Sequence, residues 1–299
     1  MVTRVHSFVL PLLLLLIVGP AQADEVVDVK DTVKRSFKVV SGGTLYIDID
    51  HGNVDVTAHR GNEIFIEVER IARTNDRSTA EDIFNRHDLT LEEQGGDVYI
   101  ESRYDDNDSF WRRMRSGDRL KVTVRVQIPR EYNLEFTSGA GNVVVGDIQG
   151  DVIGRTGAGN ITIGAIDGMA NVSSGSGNIH IAGARGRVEA NTGAGNVQVR
   201  ELSGEVSVNT GAGNIEVYIT RQPQSDSRLN TGAGNVTAYL DEDVGVMVDA
   251  EASMGSAKTD FPLAIQGKWM SKSFAGNVNG GGPRLRMRAG VGNVELRKL

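Results

Sequence analysis

The chain has 299 residues, 37 of them glycine, with 6 prolines, no cysteine and 5% aromatics. Glycine is roughly one residue in eight against a usual ~7%. The 39% apolar and 24% charged content still suits a globular protein rather than a disordered one. Absent cysteine removes disulfides, thiolate zinc sites, a Cys nucleophile and a lipoprotein anchor. A formal charge of -7 argues against nucleic acid as the partner.

Residues 1–23 carry Arg4, an apolar run from Phe8 to Val18, and Gly19-Pro20-Ala21-Gln22-Ala23. That order is expected of a secretory signal peptide cleaved near Ala23. The apolar run is shorter than the ~20 residues a membrane-spanning helix needs. The expected localisation is therefore export, to the periplasm, the cell surface or the medium, with no transmembrane helix in the mature chain.

From residue 24 to 136 the pattern is irregular. Thr44 to Ile49, Glu63 to Val68, Val98 to Ser102 and Leu120 to Ile128 alternate as strands, with His51-Gly52-Asn53-Val54 between the first two. Ser78 to about residue 88 is the one expected helix, starting at a capping-type residue and placed to cover an open end. Residues 103–119 form a charged and aromatic loop. Its Phe110, Trp111, Arg112, Arg113 and Arg115 are types that dominate binding hot spots, so they are the candidate contact residues.

From 137 to 240 the string G-x-G-N recurs, ending at Asn142, Asn160, Asn178, Asn196 and Asn214 at steps of eighteen, then at Asn235 after twenty-one. Behind each asparagine stand apolar, variable, apolar residues: Val143 and Val145, Ile161 and Ile163, Ile179 and Ile181, Val197 and Val199, Ile215 and Val217. The interleaved Val144, Thr162, His180, Gln198 and Glu216 share no chemistry and should face solvent. A second segment brings the inward rows headed by Val152 and Gly154 and ends each unit in Thr or Ser (Thr156, Ser174, Thr192, Thr210). Such a unit cannot bury its apolar face alone, but stacked copies form a parallel ladder. The expected fold is thus all-β, a parallel β-solenoid (β-helix) with ~18-residue coils. Glycines at fixed places should give the tight corners positive φ, and the asparagines should tolerate the left-handed region there and bond through their amides to the equivalent asparagine one coil away. Residues 241–299 should be irregular closing coils, with strands at Val244 to Ala250, Leu263 to Gln266, Arg284 to Arg288 and Val294 to Leu296. The stretch 266–282, with Trp269 and Met270, is expected as a long connection. Residues 24–299 are expected as one continuous domain.

The L-Y-I-D-I-D-H-G-N-V opening at Leu45 to Val54, Arg125 to Leu134, the SGAGN/TGAGN series and the closing GVGNVEL resemble a bacterial candidate-adhesin family of β-strand-repeat domains of unknown function, similar to head-GIN domains. The resemblance covers Phe37 to Leu299 and implies a single-stranded, right-handed parallel β-helix but no reaction. The 103–119 segment departs from it.

Solenoid enzymes acting on polysaccharides place paired carboxylates in an outward groove. The outward rows Ile153, Asn171, Glu189, Ser207 and Arg155, Ser173, Asn191, Asn209 do not stack two acids on adjacent coils. Asp147, Asp151 and Asp167 near one set of turns are expected to be solvated, and His51, His59, His87 and His180 to lie on the surface or in turns. Calcium is disfavoured because neutral asparagines stand where a nonapeptide roll needs aspartates. The motif is no phosphate loop either, since Val144 occupies the place of a third glycine. No metal or cofactor is expected. The function that follows is an exported, non-enzymatic binding or structural module of the cell envelope, adhesin-like, whose partner is an envelope protein or a glycan. The alternative is a carbohydrate-active lyase or hydrolase.

Overall fold

The computed structural model describes residues 27–74, 76–104, 120–267 and 271–299. The expected signal peptide lies outside the described residues. Strand chemistry repeats along the centre of the chain. Each coil supplies one strand that begins just after the asparagine and a second one that ends in the next G-x-G. The first kind is β9 (Val143–Val145), β11 (Ile161–Ile166), β13 (Ile179–Ala184), β15 (Val197–Leu202), β17 (Ile215–Ile219) and β19 (Val236–Leu240). The second kind is β8 (Asn133–Ala140), β10 (Val152–Ala158), β12 (Ala170–Ser176), β14 (Val188–Ala194), β16 (Val206–Ala212) and β18 (Ser227–Ala233). Neighbouring coils pair in parallel and in register, Ile161 against Ile179 and Val152 against Ala170, so identical side chains stack into rows.

The coils flatten into two facing twelve-stranded sheets. Valine and isoleucine suit strands buried on one face, and their inward rows are fully buried: Val143, Ile161, Ile179, Val197, Ile215 and Val236 on one sheet, Val152, Ala170, Val188 and Val206 on the other. One cluster of buried residues runs from Val39 to Leu296. Gly154 interrupts an inward row because the Phe136 ring of the preceding coil fills its space, and a Cβ there would collide with that ring.

The two ends depart from sequence order. The early pair β2 (Thr44–His51) and β3 (Asn53–His59) stacks directly on β8 and β9. Later strands β6 (Asp97–Tyr104) and β7 (Leu120–Pro129) form the coil outside it. At the other end β23 (Arg284–Val291) and β24 (Val294–Lys298) insert between β18/β19 and the earlier β20 (Val246–Met254) and β21 (Ala257–Thr259). Both ends also finish in antiparallel strands. β1 (Val27–Lys38) pairs with β4 (Glu63–Thr74), which pairs with β7; β5 (His87–Gln94) pairs with β6; and β22 (Lys272–Val278) pairs with β20.

Several expectations need correction. The helix α1 spans Arg77–Asn85 and is capped by Asp76, whose carboxylate accepts from the Thr79 N–H at 2.8 Å. It stops before His87 because that residue already belongs to β5. The helix packs on β4 and β5 over the N-terminal end, as its position suggested. Leu263 to Gln266 is not a strand. Pro262 lacks an N–H and the Leu263 N–H closes a tight turn onto the Phe261 carbonyl, so only Gln266 bridges to Ser273. The stretch taken as a long connection instead holds the closing strand β22. Trp269 and Met270 lie outside the described residues.

Candidate functional site

A filled solenoid leaves chemistry only to its corners, ends and outer faces. The S/T-G-x-G-N corner is accounted for by folding. The second glycine has φ from 136° to 155° at Gly141, Gly159, Gly177, Gly195, Gly213 and Gly234, a region that side chains avoid. A Cβ there would strike the carbonyl of the equivalent glycine one coil earlier. From Ser174 onward the Thr or Ser before the motif is buried and donates to a corner glycine carbonyl of the preceding coil, Thr192 to Gly177 at 2.9 Å and Thr210 to Gly195 at 3.0 Å, whereas the buried Ser138 hydroxyl of the first copy has no partner.

The corner glycines take the positive φ angles expected of them, and the asparagines do not adopt the left-handed region. Nor does the side-chain amide donate. The Oδ1 of each asparagine accepts the main-chain N–H of the next, Asn160 to Asn142 (2.9 Å), Asn178 to Asn160 (2.9 Å), Asn196 to Asn178 (2.8 Å), Asn214 to Asn196 (2.8 Å) and Asn235 to Asn214 (2.9 Å). The ladder begins at Asn53 and passes from Asn235 to Asn293 and then to Ser256, following the spatial order of the coils.

The turn aspartates are not solvated bystanders. Asp147 and Asp151 accept the Ala165 and Met169 N–H groups at 2.8 Å each, and Asp167 forms a two-pronged ion pair with Arg185 at 2.9 and 3.0 Å. With their oxygens on the next coil, they are not a free acid and base pair. Among the described residues no three metal-ligating side chains converge. His87, expected at the surface, is buried with 5% exposure. Its Nε2 lies 2.8 Å from Ser102 Oγ, its Nδ1 faces Arg70, and Arg70 is held by Asp31 and the Phe84 carbonyl. Burial, then the Arg70 charge, lowers its pKa to about 4. This is a neutral histidine closing the end of the core rather than an exposed base.

Two outer faces remain. On the first sheet Tyr218 and Tyr239 stack with centroids 4.4 Å apart and Arg200 lies over the Tyr218 ring at 5.3 Å. The Tyr218 hydroxyl donates to Glu216 at 2.5 Å, which with burial raises its pKa to about 12. Both faces of the Tyr218 ring are thus occupied, one by Tyr239 and one by Arg200.

On the second sheet a shallow groove of about 530 Å³ runs across three coils, lined by Ser173, Ser174, Gly175, Asn191, Thr192, Gly193, Asn209, Thr210 and Gly211. Here side-chain amides do form a ladder. Asn209 Nδ2 donates to Asn191 Oδ1 and Asn230 Nδ2 to Asn209 Oδ1, both at 2.9 Å. Each bond uses one amide hydrogen, leaving the other hydrogen of Asn209 and Asn230 and the whole Asn191 amino group for a ligand. The outward row that contains Asn191 and Asn209 is legible in the sequence. Asn230 escapes it because the twenty-one-residue step breaks the spacing that would have aligned it.

The sequence-predicted contact residues Phe110, Trp111, Arg112, Arg113 and Arg115 lie outside the described residues. The segment 105–119 that holds them joins β6 to β7, where the neighbouring coil has only the Gly52-Asn53 corner. Among the described residues no helix is long and apolar enough to cross a membrane.

No curated protein matches the chain. Among solved structures it is similar to a candidate adhesin from Bacteroides fragilis NCTC 9343, at 12% identity and TM-score 0.46 over 90% of this chain and 97% of that one. It is also similar to a candidate lipid-binding protein from Parabacteroides distasonis ATCC 8503 (14%, TM-score 0.34, 90% and 97%). A third is a candidate cell adhesion protein from Clostridium sporogenes ATCC 15579 (13%, TM-score 0.29, 90% and 100%). The Toastrack DUF4097 family model matches residues 44–297, from the first inner coil to the last strand, and the chain belongs to that family.

Proposed function

We propose that the protein is an exported, non-enzymatic β-solenoid module of the bacterial cell envelope, adhesin-like, that holds an extended hydroxyl-rich glycan along the outer face of the second sheet. The observation that carries this reading is the amide ladder Asn191, Asn209, Asn230 beside an open groove, with amide hydrogens unspent. Equal polar groups repeated at the ~4.8 Å spacing of strands suit a ligand that also repeats. Amides both donate and accept, as sugar hydroxyls do. The turn carboxylates, already bonded to the next coil, favour binding over hydrolysis. Export follows from the leader-like residues 1–23.

The test is glycan capture by Asn209→Ala. Binding of purified wild type to immobilised dextran and polygalacturonate is measured alongside the variant at matched thermal stability. Loss of several-fold in affinity with unchanged Tm supports the groove. Equal binding by both proteins, or no binding by wild type, overturns it.

A further inference from the structure

The strand β23 reads Arg284-Leu285-Arg286-Met287-Arg288, with Leu285 and Met287 buried and the arginines on the outer face of the second sheet. On one side of it, in parallel register, lie Arg228 against Arg286 and Asn230 against Arg288. On the other side lie Asp249 against Arg286 and Glu251 against Arg288. The end of the amide ladder therefore abuts an arginine cluster on one continuous face.

Charge is unequally shared there. Asp249 takes Arg288 in a two-pronged bond at 2.8 and 2.9 Å and Arg286 at 3.4 Å, and Glu251 lies 3.4 Å from Arg288. Asp226 accepts the main-chain N–H of Arg284 at 2.8 Å rather than its guanidinium. Among the described residues no carboxylate pairs with Arg228, although it is set beside Arg286 across adjacent strands, where like charges repel. The Arg286 Nε is turned from solvent toward Asp249, so it is the terminal nitrogens of Arg286, which make no hydrogen bond among the described residues, that can meet a ligand. Two guanidiniums about one strand spacing apart, with donors unspent, fit an oxyanion that accepts from both.

We propose that the Arg228–Arg286 pair is an oxyanion site at the end of the amide groove, so that the glycan held on this face is acidic. This rests on the groove being the glycan-binding surface. The hydroxyls of the polymer lie on Asn191, Asn209 and Asn230, and a carboxylate or sulfate of the same chain bridges Arg228 and Arg286. Both acid types present the same oxygen geometry, and the choice between them is made by experiment.

The experiment compares wild type, Arg228→Gln and Asn209→Ala on polygalacturonate, dextran sulfate and neutral dextran at 50 and 300 mM salt, with Tm measured for each protein. Wild type should bind one or both acidic polymers roughly tenfold more tightly than dextran at low salt, and lose that margin at high salt. Arg228 is exposed, so Arg228→Gln should keep the wild-type Tm. It should lose roughly tenfold on the acidic polymers and nothing on dextran. The acidic polymer on which the loss is larger identifies carboxylate or sulfate. Equal binding of acidic and neutral polymers by wild type, with Asn209→Ala weakening both, overturns the oxyanion site and leaves the groove standing. An Arg228→Gln protein that keeps the acidic margin overturns it as well. Wild type that binds none of the three overturns both readings.

Discussion

Replacing Gly159 with alanine tests the account of the corner. Gly159 has φ 144°, a conformation whose cost for a residue with a Cβ is about 1–3 kcal/mol. The new methyl is also driven into the Gly141 carbonyl one coil earlier, so the corner must move. Moving it strains the Gly159 N–H bond to Ser176 O and the Asn160 N–H bond to Asn142 Oδ1, both 2.9 Å and each worth about 0.5–1.5 kcal/mol net. The sum is a loss of about 2–6 kcal/mol. Two controls bracket it. Ala158→Ser puts in the residue that position 176 already carries and should change stability by less than about 0.5 kcal/mol. Asn160→Ala removes one exposed acceptor and should cost about 1 kcal/mol. Urea unfolding at unchanged m-value measures all three, and hydrogen exchange should place the weakening in the coils joined at Gly141, Gly159 and Gly177. A Gly159→Ala loss below about 1 kcal/mol, or one smaller than that of Asn160→Ala, would refute the reasoning.

Two further predictions concern the core. Phe136→Ala empties the space over Gly154 and should cost about 3–5 kcal/mol by urea unfolding, the largest effect of any single truncation in the regular coils. His87 is buried neutral with its pKa lowered to about 4, so the unfolded chain binds its proton first. The associated stability is complete above about pH 6.5 and is lost progressively as the pH falls to about 4, amounting to about 3 kcal/mol. The groups facing the ring are Arg70 from β4, Asp88 from its own strand, Asp50 from β2, and Ser102 and Tyr104 from β6. His87→Gln should flatten that segment of the stability profile relative to wild type. An unchanged slope between pH 6.5 and 4 would contradict the assignment.

Repetition made much of this protein legible. A residue every eighteen positions that stacks on itself declares its own row, so the inward valines and isoleucines, the corner glycines and the ladder from Asn142 to Asn235 could be read before any coordinates. The solvent-facing row Arg155, Ser173, Asn191, Asn209 was legible for the same reason, which placed Ser173 and the amides Asn191 and Asn209 of the candidate groove. Asn230 was not, because an insertion of three residues shifted it out of the count. The contacts that the corner residues make were legible only in part. Spacing told that Asn142 and Asn160 meet and that the corner glycines take positive φ, but not that a main-chain N–H is the donor or that the asparagines stay out of the left-handed region.

By itself the sequence determined the coil, its length and its inward rows, because parallel in-register stacking is decided within one repeat and copied to the next. Only the tertiary structure decided the ends. The choice of β23 and β24 rather than β20 and β21 as the neighbours of the last regular coil, and of β2 and β3 as those of the first, is a competition between strands far apart in sequence with similar alternation. No local pattern separates such rivals. That choice set Arg228 beside Arg286 and led the amide ladder onto the arginine strand. It also enclosed His87 between Arg70 of β4 and Ser102 of β6, since a lone histidine has no periodicity and its burial depends on what the end strands bring over it.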